Sequence, residues 1–233
     1  MLVKLLRQTS DPEKTCALAG RLCYSSRSID ELSEKLTPAA IKDLLQRVIS
    51  SEHLSVLEHA SFTFGIEGVS RALLAQLSRH RIASFSVQSQ RYVKLRDKLK
   101  YVLPPEIKKR QDLAREFVNA VEFTKNLYDK LLSEGIAAED ARYVLPQAAT
   151  TKIICTMNAR ELRHFFALRC CNRAQWEIRD MSCRMLALVR KAAPLLFANA
   201  GPDCVRGNCR EAEPCGRPWQ KIICRNSKFP SKK

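Results

Sequence analysis

The chain has 233 residues and a mass of 26.5 kDa, with 40 Lys and Arg against 24 Asp and Glu, a net charge of +16. Its 45% apolar content excludes a disordered chain, and seven glycines exclude a collagen-like one. No apolar run reaches the roughly 20 residues of a membrane helix, the N-terminus reads as lacking a signal peptide, and a reducing cytoplasm with mostly free thiols is the expectation for the ten cysteines.

In chain order, residues 1–10 alternate weakly and read as a strand. Pro12 to Leu22 places Cys16, Ala19 and Leu22 on one helical face. Pro38 to Ile49 is a second helix, with Thr37 as N-cap and Pro38 at the first helical position. Phe62, Phe64 and Ile66 alternate within a strand over Ser61 to Glu67, and Val69 to Ser78 reads as a helix. Arg79 to Gln88 breaks the period and reads as a loop. A strand is expected over Gln90 to Leu95. A long helix runs from Gln111 to Ser133 and stops at Gly135, with a short one over Ala138 to Val144. Thr150 to Thr156 is rich in β-branched residues and reads as a strand. Asn158 caps a helix to Leu168, and another helix spans Ala174 to Ala193 before Pro194. Trp176 reads as core at the start of that helix. The fold class expected is mixed α/β (α+β), a small central sheet flanked by helices, followed by an irregular Cys-rich tail. Residues 1–200 make the catalytic domain and 201–233 the basic tail.

The charge is uneven. Residues 71–110 hold eleven Lys and Arg against two acids, residues 151–191 nine against three, and residues 203–233 eight against three. Such a surplus points to anionic partners. A nucleic-acid-binding module is the alternative, although the aromatic interleaving of a stacking platform is missing.

The sharpest stretch is Arg79-His80-Arg81 with Ser84, Ser89 and Arg91 at fixed spacing, R-H-R-x-x-S-x-x-x-x-S-x-R. Upstream stands His53-Leu54-Ser55-Val56-Leu57-Glu58-His59. Downstream stand Ala141-Arg142-Tyr143-Val144-Leu145-Pro146, then Asn158-Ala159-Arg160-Glu161-Leu162, Leu168-Arg169 and Ala174-Gln175-Trp176-Glu177-Ile178. In order and spacing this set resembles the flavin-dependent thymidylate synthases over about residues 1 to 200.

The resemblance implies reductive methylation of dUMP to dTMP. Methylenetetrahydrofolate supplies the carbon, FAD carries the hydride and NADPH is the reductant. It also implies a homotetramer with shared active sites, and no requirement for nucleic acid or membrane. Position by position, it places Arg169, Ser89 and His53 in catalysis, with Arg169 against the uracil. Gln76, Arg79, Ser89, Arg91, Arg142 and Arg169 match dUMP contacts. Ser55, Glu58, Arg79, His80, Arg81, Asn158, Arg160 and His164 match flavin-side positions. Val87 departs from the family, which has Glu or Gln there, and His164 stands where some members have Asn.

No metal is expected in the catalytic domain: His53 and His59 with Glu58 suggest one, but no further ligand stands at convincing spacing. In the tail, Cys204, Cys209, Cys215 and Cys224 are four candidate zinc thiolates without the usual C-x2-C spacing. Free or redox-active thiols and a disordered basic end are the other readings.

Overall fold

Caps decide where the elements begin. The computed structural model describes residues 1–95, 99–207, 209–217 and 219. The first strand, β1, is Leu2–Gln8, and α1 is Pro12–Leu22. Helix α3, Pro38–Ser50, starts as expected at Thr37, whose hydroxyl accepts the Ala40 N–H at 3.2 Å. Before it lies a short helix that periodicity does not announce, α2 (Ile29–Glu34), capped by Ser28.

Strand β2 spans Ser61–Ser70, longer than expected. Phe62, Phe64 and Ile66 are buried on alternate positions. The alternation breaks at Gly68, whose φ of 70° suits glycine, so Val69 and Ser70 are both buried. Ser70 then caps α4, Arg71–Leu77, by accepting the Leu73 N–H at 3.0 Å. The helix expected from Val69 therefore starts two residues later.

The stretch expected as a loop contains a four-residue strand, β3 (Ser84–Val87), with a period-2 burial pattern. The strand expected over Gln90 to Leu95 is instead a turn, in which Val93 N–H reaches Ser89 O at 3.1 Å. After the short α5 (Pro105–Lys108), α6 runs Gln111–Ser133 as its periodicity requires. Gly135, at φ 85°, ends it, and the Ile136 N–H bonds back to Leu131 O at 3.0 Å. Helix α7 covers Ala138–Ala141 and passes into a 3-10 turn, Arg142–Val144.

Strand β4 is Thr150–Asn158, and α8 is Ala159–Arg169. Asn158 Oδ1 accepts the Glu161 N–H at 2.8 Å, the cap that the sequence implies. Helix α9, Trp176–Ala192, is capped by Gln175, whose side-chain oxygen accepts the N–H groups of Glu177 and Ile178. Pro194 does more than stop α9. It opens α10, Pro194–Phe197, at the position where its missing N–H costs nothing.

The four strands hydrogen-bond in the order β1-β2-β4-β3. The mixed helix and strand content and this small sheet are the fold class expected. The chain divides into two units. Unit 1 holds residues 1–2, 65–79 and 85–154. Its core includes Leu99, Val121 and Ala149, with Tyr101 and Phe117 packed against them. Unit 2 holds residues 3–64, 80–84 and 155–233. Phe62, Phe197, Phe166 and Phe165 form a chain of edge contacts there, with centroids 5.3 to 6.1 Å apart. Among the described residues, no helix is long and apolar enough to cross a membrane.

Candidate active site

In unit 2, a cavity of about 680 Å3 opens over the N-terminal half of α8. Glu58, Asn158, Arg160 and His164, four of the expected flavin-side residues, line it together. Arg206 and Arg210 of the tail also line it. Three of its arginines are held by carboxylates, Arg160 by Glu58, Arg206 by Asp203 at 2.9 Å and Arg210 by Glu52 at 3.8 Å, while the buried Arg163 donates to Leu196 O and Asn199 Oδ1. Exposed pairs of this kind are worth only about 0–1 kcal/mol. An anionic ligand can therefore exchange for the carboxylates at small cost.

Beneath this cavity lies a buried polar chain. His80 is 5% exposed and Glu161 7%. His80 Nδ1 meets Glu161 Oε1 at 3.0 Å, and Arg169 Nε donates to His80 Nε2 at 3.0 Å. The ring also stands edge-on to Phe165, with centroids 4.9 Å apart. Burial lowers the His80 pKa below its usual 6.5; Arg169 and His164 lower it too, and the Glu161 bond opposes them. The ligand atoms of His80, Glu161 and His164 lie within 4.8 Å of one another, the one such group among the described residues. Because Arg169 already occupies His80 Nε2 with a positive charge, this donor set does not suit a cation.

Unit 1 carries a second cavity, about 440 Å3, lined by Arg71, Ser78, Gln90, Arg142, Tyr143 and Gln147 among others. Arg142 was expected there as a dUMP contact. Arg71 was not, and it is the residue that sequence reasoning missed. Burial lowers the Arg71 pKa, and the charge of Arg142 lowers it further. Two guanidiniums facing one cavity make an anion site, since each offers a fork of donors and no acceptor. The signal lay in Ser70, whose capping role puts Arg71 in the first turn of α4.

The remaining expected residues are distributed as follows. Gln76 lies on α4 and is half-buried. Ser89 Oγ accepts the Arg91 N–H at 3.1 Å, and the Arg91 side chain pairs with Glu139 in unit 1. Arg79 and Arg81 are exposed at either side of His80. His53 precedes a 3-10 turn, Leu54–His59, which carries Ser55 and Glu58; all three are exposed. Val87 ends β3, half-buried.

The described tail belongs to unit 2, where it packs on the loop between α8 and α9. Asn172 Nδ2 donates to Arg217 O at 2.7 Å, and Arg173 donates to Glu213 O. Trp219 is 7% exposed, beneath the Arg190 guanidinium at 5.2 Å. Together these walls enclose a cavity of about 610 Å3 lined by Arg169, Arg173, Cys171, Cys204, Cys209 and Cys215 among others. The described cysteines are free thiols, and Cys224 lies outside the described residues.

The profile of a family described as thymidylate synthase complementing protein matches residues 4–195. A flavin-dependent thymidylate synthase of Geobacter sulfurreducens is 53% identical over 219 residues, covering 93% of this chain and 94% of that one. One from Clostridium tetani is 50% identical over 232 residues, covering 92% and 93%. Among solved structures, the UMP/dUMP methylase PolB of Streptomyces cacaoi, bound with 5-Br dUMP, superposes with a TM-score of 0.72 at 25% identity, over 84% of this chain and 93% of that one. With half of its residues shared across nine-tenths of its length, and the family profile matching residues 4–195, the chain belongs to the flavin-dependent thymidylate synthase family.

Proposed function

We propose that the chain methylates dUMP reductively to dTMP, with methylenetetrahydrofolate as carbon donor, FAD as hydride carrier and NADPH as reductant. The observation that carries the nucleotide reading is Arg71 and Arg142 on one cavity with Gln90 and Gln147. Two guanidiniums suit a phosphate monoester, and amide side chains suit the sugar or base. Gln76, Arg79, Ser89 and Arg91 complete the dUMP contacts. Arg91 must leave Glu139 to bind substrate, an exchange of one exposed partner for another.

The α8 cavity fits FAD. Its volume is that of an ordinary cofactor pocket, and Arg160, His164, Arg206 and Arg210 supply donors for a diphosphate. Asn158, Ser55, Glu58, Arg79, His80 and Arg81 are the other flavin-side residues of this reading. When bound, FAD supplies the hydride that NADPH replenishes.

The chemical demand on the protein is to make C5 of uracil nucleophilic. Negative charge then grows on a uracil carbonyl oxygen, and a fixed cation stabilises it. Arg169 is assigned that task. His53 serves the flavin and folate side, and Ser89 holds the substrate. A homotetramer in which several copies build each site supplies both arginine sets to one substrate. The reaction is assigned to the cytoplasm. In this reading residues 1–200 are the catalytic domain and 201–233 a tail, whose described residues contribute walls to two cavities of unit 2.

The test is spectroscopic. Protein reconstituted with FAD is yellow, and NADPH bleaches it, faster with dUMP present. Failure to bind FAD at all refutes the proposal.

A further inference from the structure

His80 is the expected flavin-side residue whose ring is least available to a ligand. It is buried, and both its nitrogens are engaged within the protein. The directions of those bonds fix its chemistry. Arginine has five N–H donors and no acceptor, so His80 Nε2 must be the acceptor of the Arg169 bond. A ring that accepts at Nε2 carries its proton at Nδ1, if it carries one only. That proton faces Glu161 Oε1 at 3.0 Å. Glu161 sits in the first turn of α8, where its backbone N–H donates to the Asn158 cap. The chain of bonds therefore runs from carboxylate to neutral imidazole to guanidinium, with every donor facing an acceptor.

We propose that Glu161 and His80 are positioning residues for Arg169: the carboxylate selects the Nδ1–H form of His80, and the Nε2 lone pair so exposed tethers the arginine through Nε. The proposal rests on the reading of Arg169 as the cation that stabilises the pyrimidine. A free arginine side chain has many rotamers. One tethered at Nε keeps its two terminal nitrogens at a set place on the wall of the cavity it lines. Those nitrogens hold four of the five donors. Preorganisation of this kind supplies the electrostatic stabilisation without reorganisation in the transition state.

Protonation reverses the arrangement. Imidazolium presents N–H at both nitrogens, and Nε2–H then faces the Arg169 N–H. Two donors and two positive charges meet where a bond stood. The charged and titratable groups around the ring are Glu161, His164 and Arg169, all on α8. Two of the three oppose the added charge.

The direct test is nitrogen NMR of the FAD-loaded protein with 15N-labelled histidine. The chain has four histidines, and a His80→Asn variant assigns the signal of interest. The expected result at neutral pH is a protonated Nδ1 and an unprotonated Nε2, the less common form of free imidazole. Glu161→Gln is expected to convert it to the Nε2–H form or to a mixture. It should also lower kcat for dUMP turnover 10- to 100-fold while the bound-flavin spectrum is kept. Its acid limb should move to lower pH, because the partner that favours imidazolium is gone. An Nε2–H ring in the wild type overturns the relay even if Glu161→Gln fails to fold. Arg169→Ala separates the two ideas: full turnover in that variant refutes the role of Arg169, whatever form His80 takes. Lost turnover in Arg169→Ala with full turnover and an unmoved pH profile in Glu161→Gln refutes the relay alone.

Discussion

His80 Nδ1 and Glu161 Oε1 stand 3.0 Å apart, 81 positions apart in sequence, with both side chains nearly closed to solvent. A pair this deeply placed links stability to pH. Burial lowers the His80 pKa below 6.5, so the unfolded chain binds the proton more readily than the folded one. The stability this contributes is present above pH 6.5, falls as pH drops toward the folded pKa, and levels off below it. Thermal melting at pH 5 and pH 7.5 is expected to show a lower midpoint at pH 5. His80→Asn should reduce that difference. An unchanged difference would mean that other groups carry it.

Arg71 is expected to matter for substrate affinity more than for turnover. It lines the same cavity as Arg142, 71 positions away in sequence. A charge-assisted bond to phosphate is worth about 1.5–3 kcal/mol. Arg71→Ala should therefore raise KM for dUMP roughly 10- to 100-fold with a smaller change in kcat, as loss of uniform binding does. Steady-state kinetics checks this. An unchanged KM would remove Arg71 from the phosphate site.

The thiols divide by burial. Burial pushes Cys16 and Cys155 up to about 12 and also raises Cys170. Cys23 and Cys215 are exposed. Since the thiolate is the nucleophile, alkylation at pH 8 followed by peptide mapping should label Cys23 and Cys215 first. Cys16, Cys155 and Cys170 should react only after denaturation. Early labelling of Cys155 would contradict its place in the core.

Trp219 anchors the tail through burial and the Arg190 guanidinium. Trp219→Ala is expected to loosen residues 203–217 without unfolding the helices, because the tail bonds chiefly to one loop. Limited proteolysis should cut the variant there faster than the wild type. Equal rates would show that Asn172 and Arg173 suffice.

Much of this structure was legible where the information is local. Thr37 and Asn158 announced their helices because a cap and the following apolar period occupy adjacent residues. Helix α6 was legible from its own periodicity and Gly135. β3 was not, because four residues inside an arginine-rich motif are too few for a period to show. Val69 continues the apolar pattern of α4 across Ser70, and that hides both the cap and the place of Arg71. The motif residues Glu58, Asn158, Arg160 and His164 were each legible, and their meeting on one cavity required the fold. The bond from Arg169 to His80 joins positions 89 apart and had no sequence signal.

The central claim is a reaction, and product formation tests it. Purified protein should be incubated with FAD, NADPH, methylenetetrahydrofolate and dUMP, and the nucleotides separated by chromatography. The expected product is dTMP, formed only when all four are present and lost in Arg169→Ala. Protein that binds flavin and is reduced by NADPH yet leaves dUMP unchanged would contradict it.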